Sequence, residues 1–388
     1  MSDAVAPPSP VAPPHPVVGR RAPADAAVTS DGGETASGQP WPRHITVLLG
    51  ISVTLGILLL MHQFSGIIGP VFMAINLLIA AYPIHSWLRS KGTPGWLSTS
   101  VMFLTVTVIL LAAVAGLVWA VSAIVRQLPN YSGQWMALYD QIMGWLAHYN
   151  INTTGLADIM QQISPGQVVG VLSSVFSQSA AIAGVVAAIV AVLIFLAMDT
   201  PSTRARLRLA SAHHPELAAS MARFGANVRT YWVATTVFGA IIAALDGVAL
   251  AIMGVPLAAV WALLSFVTNY IPAIGFVIGL IPPVLLALLG SGWGMALAVI
   301  VVYSVLNILI QTILQPRIIG ESVGVTASVA FVSLLLWGWV LGGLGTLLAL
   351  PMTLFLKAAF IDPDPKAQWL ASIISVGPLG AKKKPSGP

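Results

Sequence analysis

A single carboxylate stands alone in the most apolar part of this chain. Asp246 lies within GAIIAALDGVALAIMG and is the only charged residue between Arg229 and Arg317. An aspartate at the centre of a membrane helix costs about 2.5 to 3.5 kcal/mol on insertion scales, so it must face other helices or a cavity. Two readings follow: a site that carries a proton or cation, or an interhelical hydrogen bond. Beside it Gly239, Ala243, Gly247 and Ala251 repeat every four residues, a small-residue stripe that permits close helix packing. Downstream, Ser304, Asn307, Gln311 and Gln315 fall at i, i+3, i+7 and i+11, one polar face of a helix. That face suits a polar pathway lining, and amides so spaced also act as interhelical glue worth about 1 to 2 kcal/mol. Pro316, Arg317, Gly320 and Glu321 then form a turn, in which Arg317 and Glu321 are expected to make a structural ion pair at the cytoplasmic face.

Other chemistries lack their residues. Without cysteine there is no thiol catalysis, disulfide or cysteine-ligated metal. The chain carries no GxxxxGK[ST] or HExxH motif, no nucleophile paired with a base at membrane depth, and no soluble stretch large enough for an ATPase domain. His213-His214, His62 and His148 are scattered, and are expected to be solvated and without metal. The expectation is therefore no enzyme, no cofactor, no metal and no nucleic-acid partner; the partners are the lipid bilayer and a small-molecule or ion substrate.

The elements that must hold these residues are membrane helices. Of 388 residues 57% are hydrophobic and 7% charged, with a mean hydropathy of +0.90, against about 25% charged in soluble domains. The fold expected is an all-α polytopic membrane protein: about five full transmembrane helices, two helical hairpins, and a further transmembrane helix in the C-terminal half. Residues 1–41, rich in Pro, Ala, Gly and Ser, read as a disordered cytoplasmic tail and not a signal peptide. Residues 42–125 hold spans 1–3, with a turn expected at His62 to Gly66 and Gly69-Pro70. In 126–178, a stripe of Trp135, Leu138, Ile142, Leu146 and Tyr149 and a second of Val168, Leu172, Val175 and Phe176 predict a small helical extracytoplasmic subdomain.

Residues 179–198 make span 4, and 199–229 a cytoplasmic amphipathic helix that Pro215 opens, with Leu217, Met221, Phe224 and Val228 on one face. The core follows at 230–360, and 361–388 is a cytoplasmic tail whose Lys382-Lys383-Lys384 suits anionic lipid. With the N-terminus cytoplasmic, every Lys and Arg except Arg126 falls inside, as the positive-inside bias asks. Both termini are then cytoplasmic.

Non-helical backbone at membrane depth survives only inside protein or beside a water-filled cavity, so breaks point toward a pathway. In 255–290, Asn269, Pro272 and Gly275 separate two arms too short for a full crossing, and Pro282 and Pro283 interrupt the second arm. In 326–356, Gly342, Gly343 and Gly345 divide another pair, with Pro351 in the latter arm. By the topology count the first hairpin enters from outside and the second from inside, the pattern of a secondary transporter's midplane site.

NYIPAIGFVIGLIPPVLLALL, preceded by Gly254-Val255-Pro256, resembles the signature of the autoinducer-2 exporter family of bacterial inner-membrane proteins. QPRIIGESVGVTASVAFVSLLLWGWVLGGLGTLLALPMTLFLK resembles it too, through Pro316, Gly320, Trp337-Gly338-Trp339, Gly345 and Pro351, and the likeness runs from residue 44 to 360. The resemblance implies a multi-pass exporter or permease that assembles as a homo-oligomer, with members associated with autoinducer-2 export and others with Na+(Li+)/H+ antiport. Many members carry Glu where this chain has Gln315, which leaves Asp246 as the titrating group. The expected function is a secondary transporter of a small polar metabolite, with a monovalent cation/proton antiporter and a non-transporting membrane scaffold as the alternatives.

Overall fold

The computed structural model describes residues 42–148, 165–177, 179–272, 274–315 and 325–364, with 367, 369, 370 and 374. The expected tail 1–41, the turn with Pro316, Arg317, Gly320 and Glu321, and Lys382 to Lys384 lie outside the described residues. Two compact units divide the chain, Met1–Ser52 and Val53–Pro388; the first contributes the start of α1, and all that follows concerns the second.

Every regular element among the described residues is helical: α1 (Arg43–Gln63), α2 (Ser65–Ser90), α3 (Gly95–Gln127), α4 (Ser132–His148), α5 (Pro165–Ser177), α6 (Ser179–His213), α7 (Pro215–Ile252), α8 (Ala258–Thr268), α9 (Gly275–Ser291), α10 (Trp293–Asn307) and α11 (Ala327–Leu356). The protein is an all-α polytopic membrane protein. Six stretches are long and apolar enough to cross a bilayer: His44–Gln63, Ser65–Ser90, Gly95–His148, Pro215–Ile252, Trp293–Leu314 and Ala327–Ile361.

The last of these is not a single rod. Gly342 takes φ 64 and ψ −144 inside α11, and Ser333 Oγ donates to the Ala349 carbonyl at 2.9 Å. In a straight helix those residues would stand about 24 Å apart, so the chain folds back on itself at Gly342. The Ser333 and Thr353 hydroxyls bond across the two arms, and Trp337 Nε1 donates to Thr353 Oγ1 at 3.1 Å. A Cβ on Gly345 would lie 1.8 Å from the Trp337 carbonyl, so the arms can approach only over a glycine there.

α8 and α9 form the other hairpin. A Cβ on Gly275 would fall 1.9 Å from the Thr268 carbonyl, which closes the tip. The expected interruption at Pro282 and Pro283 is not found, because α9 runs unbroken through both to Ser291. Membrane helices tolerate proline where neighbouring groups re-satisfy the freed carbonyls, and here the arm ends instead at Gly292, with φ 82 and ψ −173. Pro351 likewise sits inside the second arm of α11.

Two other boundaries differ from expectation. Phe64 alone separates α1 from α2, and Gly69 and Pro70 are buried within α2, where Gly69 meets Leu344. Residues 215–229 are not a separate helix but the first turns of α7, which continues through 38 residues to Ile252. Phe224 and Val228 are buried there and Leu217 is exposed. In α4 the expected stripe of Trp135, Leu138, Ile142 and Leu146 is the half-buried face.

α2 packs against α3, α6, α7 and α11, and the largest buried cluster gathers at this junction around Trp232, Trp337, Leu341 and Leu348. The hairpin tip residues Tyr270, Ile271 and Ile274 pack on the same cluster. A second cluster, with Leu250, Val260, Trp261, Leu286 and Val299, joins α7, α8, α9 and α10.

Candidate functional site

Asp246 faces the bundle from α7 and has 0% of its surface exposed. Ser265 on α8 donates its hydroxyl to Asp246 Oδ2 at 2.6 Å. Oδ1 is buried and has no hydrogen-bond partner among the described residues, and the Tyr303 hydroxyl on α10, also buried, has none among them either. The small-residue stripe explains how α8 comes so near: a Cβ on Gly247 would lie 2.8 Å from Ala262 Cβ, and one on Gly239 2.6 Å from Asn269 Nδ2. Ala243 is buried between them, while Ala251 is exposed and the stripe stops serving this contact.

Asn269 opens the tip of the α8–α9 hairpin and ties three elements together. Its Nδ2 donates to the Thr235 carbonyl on α7 at 3.0 Å, and its Oδ1 accepts from Gln311 Nε2 at 2.8 Å. Gln311 also donates to Asn307 Oδ1 at 3.1 Å, and Asn307 Nδ2 donates to the Tyr303 carbonyl at 2.9 Å. Between them lies a small cavity, with about 10 Å³ open to the centre of a water molecule, room for about one water. Ser265, Thr268, Asn269, Phe276, Gly279, Tyr303, Asn307 and Gln311 line it. A Cβ on Gly279 would lie 2.9 Å from Thr268 Oγ1.

The polar face expected from Ser304 to Gln315 is thus only partly assembled. Beyond Asn307 the backbone widens into a π-helical turn, Ile308–Leu314, which shifts each later side chain from its α-helical position. Asn307 and Gln311 reach the cavity; Ser304 and Gln315 are half-buried and do not line it. Pro272 is half-buried at the hairpin tip, and Gly342, Gly343 and Gly345 lie in the other hairpin.

Sequence reasoning passed over Ser265, Thr268 and Tyr303. The signal was present: Ser265, Thr268 and Asn269 fall at i, i+3 and i+4 on an apolar helix, and Tyr303 stands one turn before Asn307. The tip is further secured to α7, where the Tyr231 hydroxyl donates to the Tyr270 carbonyl at 3.2 Å and the Thr236 and Tyr270 hydroxyls bond at 2.7 Å. Trp232 Nε1 donates to Asn76 Oδ1 on α2 at 3.3 Å.

His62 is exposed, but it is not the isolated histidine expected. It stacks on Trp339 with ring centroids 5.2 Å apart, and its Nδ1, as the N–H tautomer, donates to the Trp339 carbonyl at 2.9 Å. That carbonyl is one of the last in the first arm of α11, left without a helical partner by the turn at Gly342. Among the described residues no three His, Asp or Glu side chains gather as a metal site.

The family model for AI-2E family transporters matches residues 51–362. The chain belongs to this family. It is 28% identical over 332 residues to the AI-2 transport protein TqsA of Escherichia coli K12, a match covering 85% of this chain and 95% of the relative. A provisionally named transport protein of Haemophilus influenzae is 27% identical, over 84% of this chain and 95% of its own length. Another, from Mycobacterium tuberculosis, is 30% identical over 82% and 88%. This AI-2E family member is therefore a multi-pass membrane transporter, and its two hairpins and polar cavity all fall within the matched residues.

Proposed function

We propose that this protein is a secondary exporter of a small polar metabolite, driven by a proton or cation gradient that Asp246 couples to transport. The observation that carries the reading is the Asp246 carboxylate itself, fully buried, with one oxygen bonded to Ser265 and the other bonded to nothing among the described residues. A bare buried charge costs several kcal/mol or more, so such a group holds a proton or a cation when it is closed off. Loading and unloading that charge changes what the neighbouring hairpin tip must accommodate. Asn269, Asn307 and Gln311 supply the polar surface beside it.

On this reading both termini are cytoplasmic, the α8–α9 hairpin enters from outside, the α11 hairpin from inside, and the protein works as a homo-oligomer in the bacterial inner membrane. Autoinducer-2 is the first substrate to try, since it is the one named for the TqsA relative.

Proteoliposomes of the full chain with an internal pH dye test the coupling, with Na+, Li+ or K+ added outside and labelled autoinducer-2 loaded within. The expected result is gradient-driven loss of labelled substrate in wild type and none in Asp246→Asn. Cation-driven pH change without substrate flux would make the protein a cation/proton antiporter, and equal flux in wild type and variant would remove Asp246 from the mechanism.

A further inference from the structure

Among the described residues Arg229 carries a charge that no carboxylate answers. It stands on α7 where the charged start of the helix gives way to its apolar remainder. The guanidinium lies over the ring of Tyr82 on α2, with Cζ 5.0 Å from the centroid, and its Nε is buried without a hydrogen-bond partner. Among the described residues the one ion pair is Lys357 with Asp362, so no carboxylate there answers Arg229. Tyr82 is 43% exposed, its hydroxyl makes no hydrogen bond among the described residues, and its ring also stacks on His85, which is 5% exposed. A guanidinium offers five N–H donors and does not lose its proton. Half-buried and unanswered, it calls for an anion, and its flat fork matches phosphate oxygens two at a time.

A second observation says what kind of phosphate. From Arg229 the exposed side of α7 continues through Val233, Val237, Ile241, Leu245 and Val248, all apolar and 40% to 58% exposed. That row spans about 22 Å at 1.5 Å per residue, and it begins one turn beyond the guanidinium. Inorganic phosphate has no use for such a face. An amphiphile with a negative head does, because it can place its phosphate on Arg229 and its hydrocarbon along the row.

We propose that Arg229 and Tyr82 bind the phosphate of an anionic phospholipid whose acyl chain lies along the exposed face of α7. Since α7 also carries Asp246 and receives the α8–α9 tip, an occupied site ties the transport helix to the lipid around it.

The test uses the purified full chain in detergent, offered phosphatidylglycerol, phosphatidylcholine or inorganic phosphate, with bound lipid counted by native mass spectrometry and stabilisation read from thermal unfolding. Wild type is expected to retain phosphatidylglycerol in preference to phosphatidylcholine by about tenfold, the scale of one charge-assisted contact. Arg229→Gln should lose that preference while Arg223→Gln, an exposed neighbour, keeps it. Arg229→Lys, which keeps the charge but loses the fork and the stack, should fall between, and it carries the test if the glutamine variant fails to fold. Undiminished preference in Arg229→Gln or Arg229→Lys overturns the proposal, and so does equal loss in Arg223→Gln. Stabilisation by inorganic phosphate as large as that by phosphatidylglycerol also overturns it, since the apolar row would then contribute nothing.

Discussion

Asp246 depends on a single hydroxyl. Ser265→Ala would leave both carboxylate oxygens without a donor, at an expected cost of about 1 to 3 kcal/mol, and thermal unfolding of the detergent-solubilised protein measures it. Asp246→Asn should unfold near the wild-type temperature, because the amide oxygen still accepts from Ser265, while flux is lost; a variant that neither folds nor inserts would make Asp246 a structural residue. Gly239 is as constrained as the carboxylate it accompanies. Its Cβ would stand 2.6 Å from Asn269 Nδ2, so Gly239→Ala must push the amide off the Thr235 carbonyl. The expected cost is about 1 to 3 kcal/mol, together with slower transport, and a liposome flux assay on folded protein separates the two.

At the scale of the element, the two hairpins are built by different glycines doing different jobs. Gly342 lies where side chains are excluded by backbone sterics, with φ 64 and ψ −144, so Gly342→Ala should cost about 1 to 3 kcal/mol. Gly343, next to it, has helical backbone and open space around its Cα. Gly343→Ala should therefore change unfolding by no more than about 0.5 kcal/mol. Equal effects from the two substitutions would contradict a fold-back at Gly342. Across the arms, Thr353→Val removes the hydroxyl that meets both Ser333 and Trp337. A loss of about 1 to 3 kcal/mol is expected, measured by the same unfolding assay.

For the whole molecule, the proposed topology can be tested directly because the chain contains no cysteine. A single cysteine at Arg126 should react with a membrane-impermeant maleimide in intact spheroplasts, and one at Lys384 only after the membrane is opened. Reaction of both from the same side would sink the arrangement with both termini cytoplasmic. The exposed apolar surface of α1, from Val53 to Leu60, is what a lipid-facing or subunit-facing helix requires.

Composition and charge spacing determined the class: with 7% charged residues there is not enough polar surface for water, and long uncharged stretches leave membrane helices as the only way to satisfy the backbone. They also determined that Asp246 must face inward, since lipid would charge too much for it elsewhere, and that Gly342 and the Asn269 to Gly275 stretch would break helices. Only the tertiary structure decided which breaks were real. Pro282 and Pro283 read as breakers by local rules, yet α9 passes through them because packing re-satisfies what proline removes. Ser265 became visible as the partner of Asp246 only when α8 was laid on the glycines of α7, nineteen residues away in the chain. The π-helical turn after Asn307 has no spacing signature, so the sequence could place Gln315 on the polar face while the folded backbone turned it away from the cavity. Contacts between distant elements set these features, and a chain read one residue at a time does not contain them.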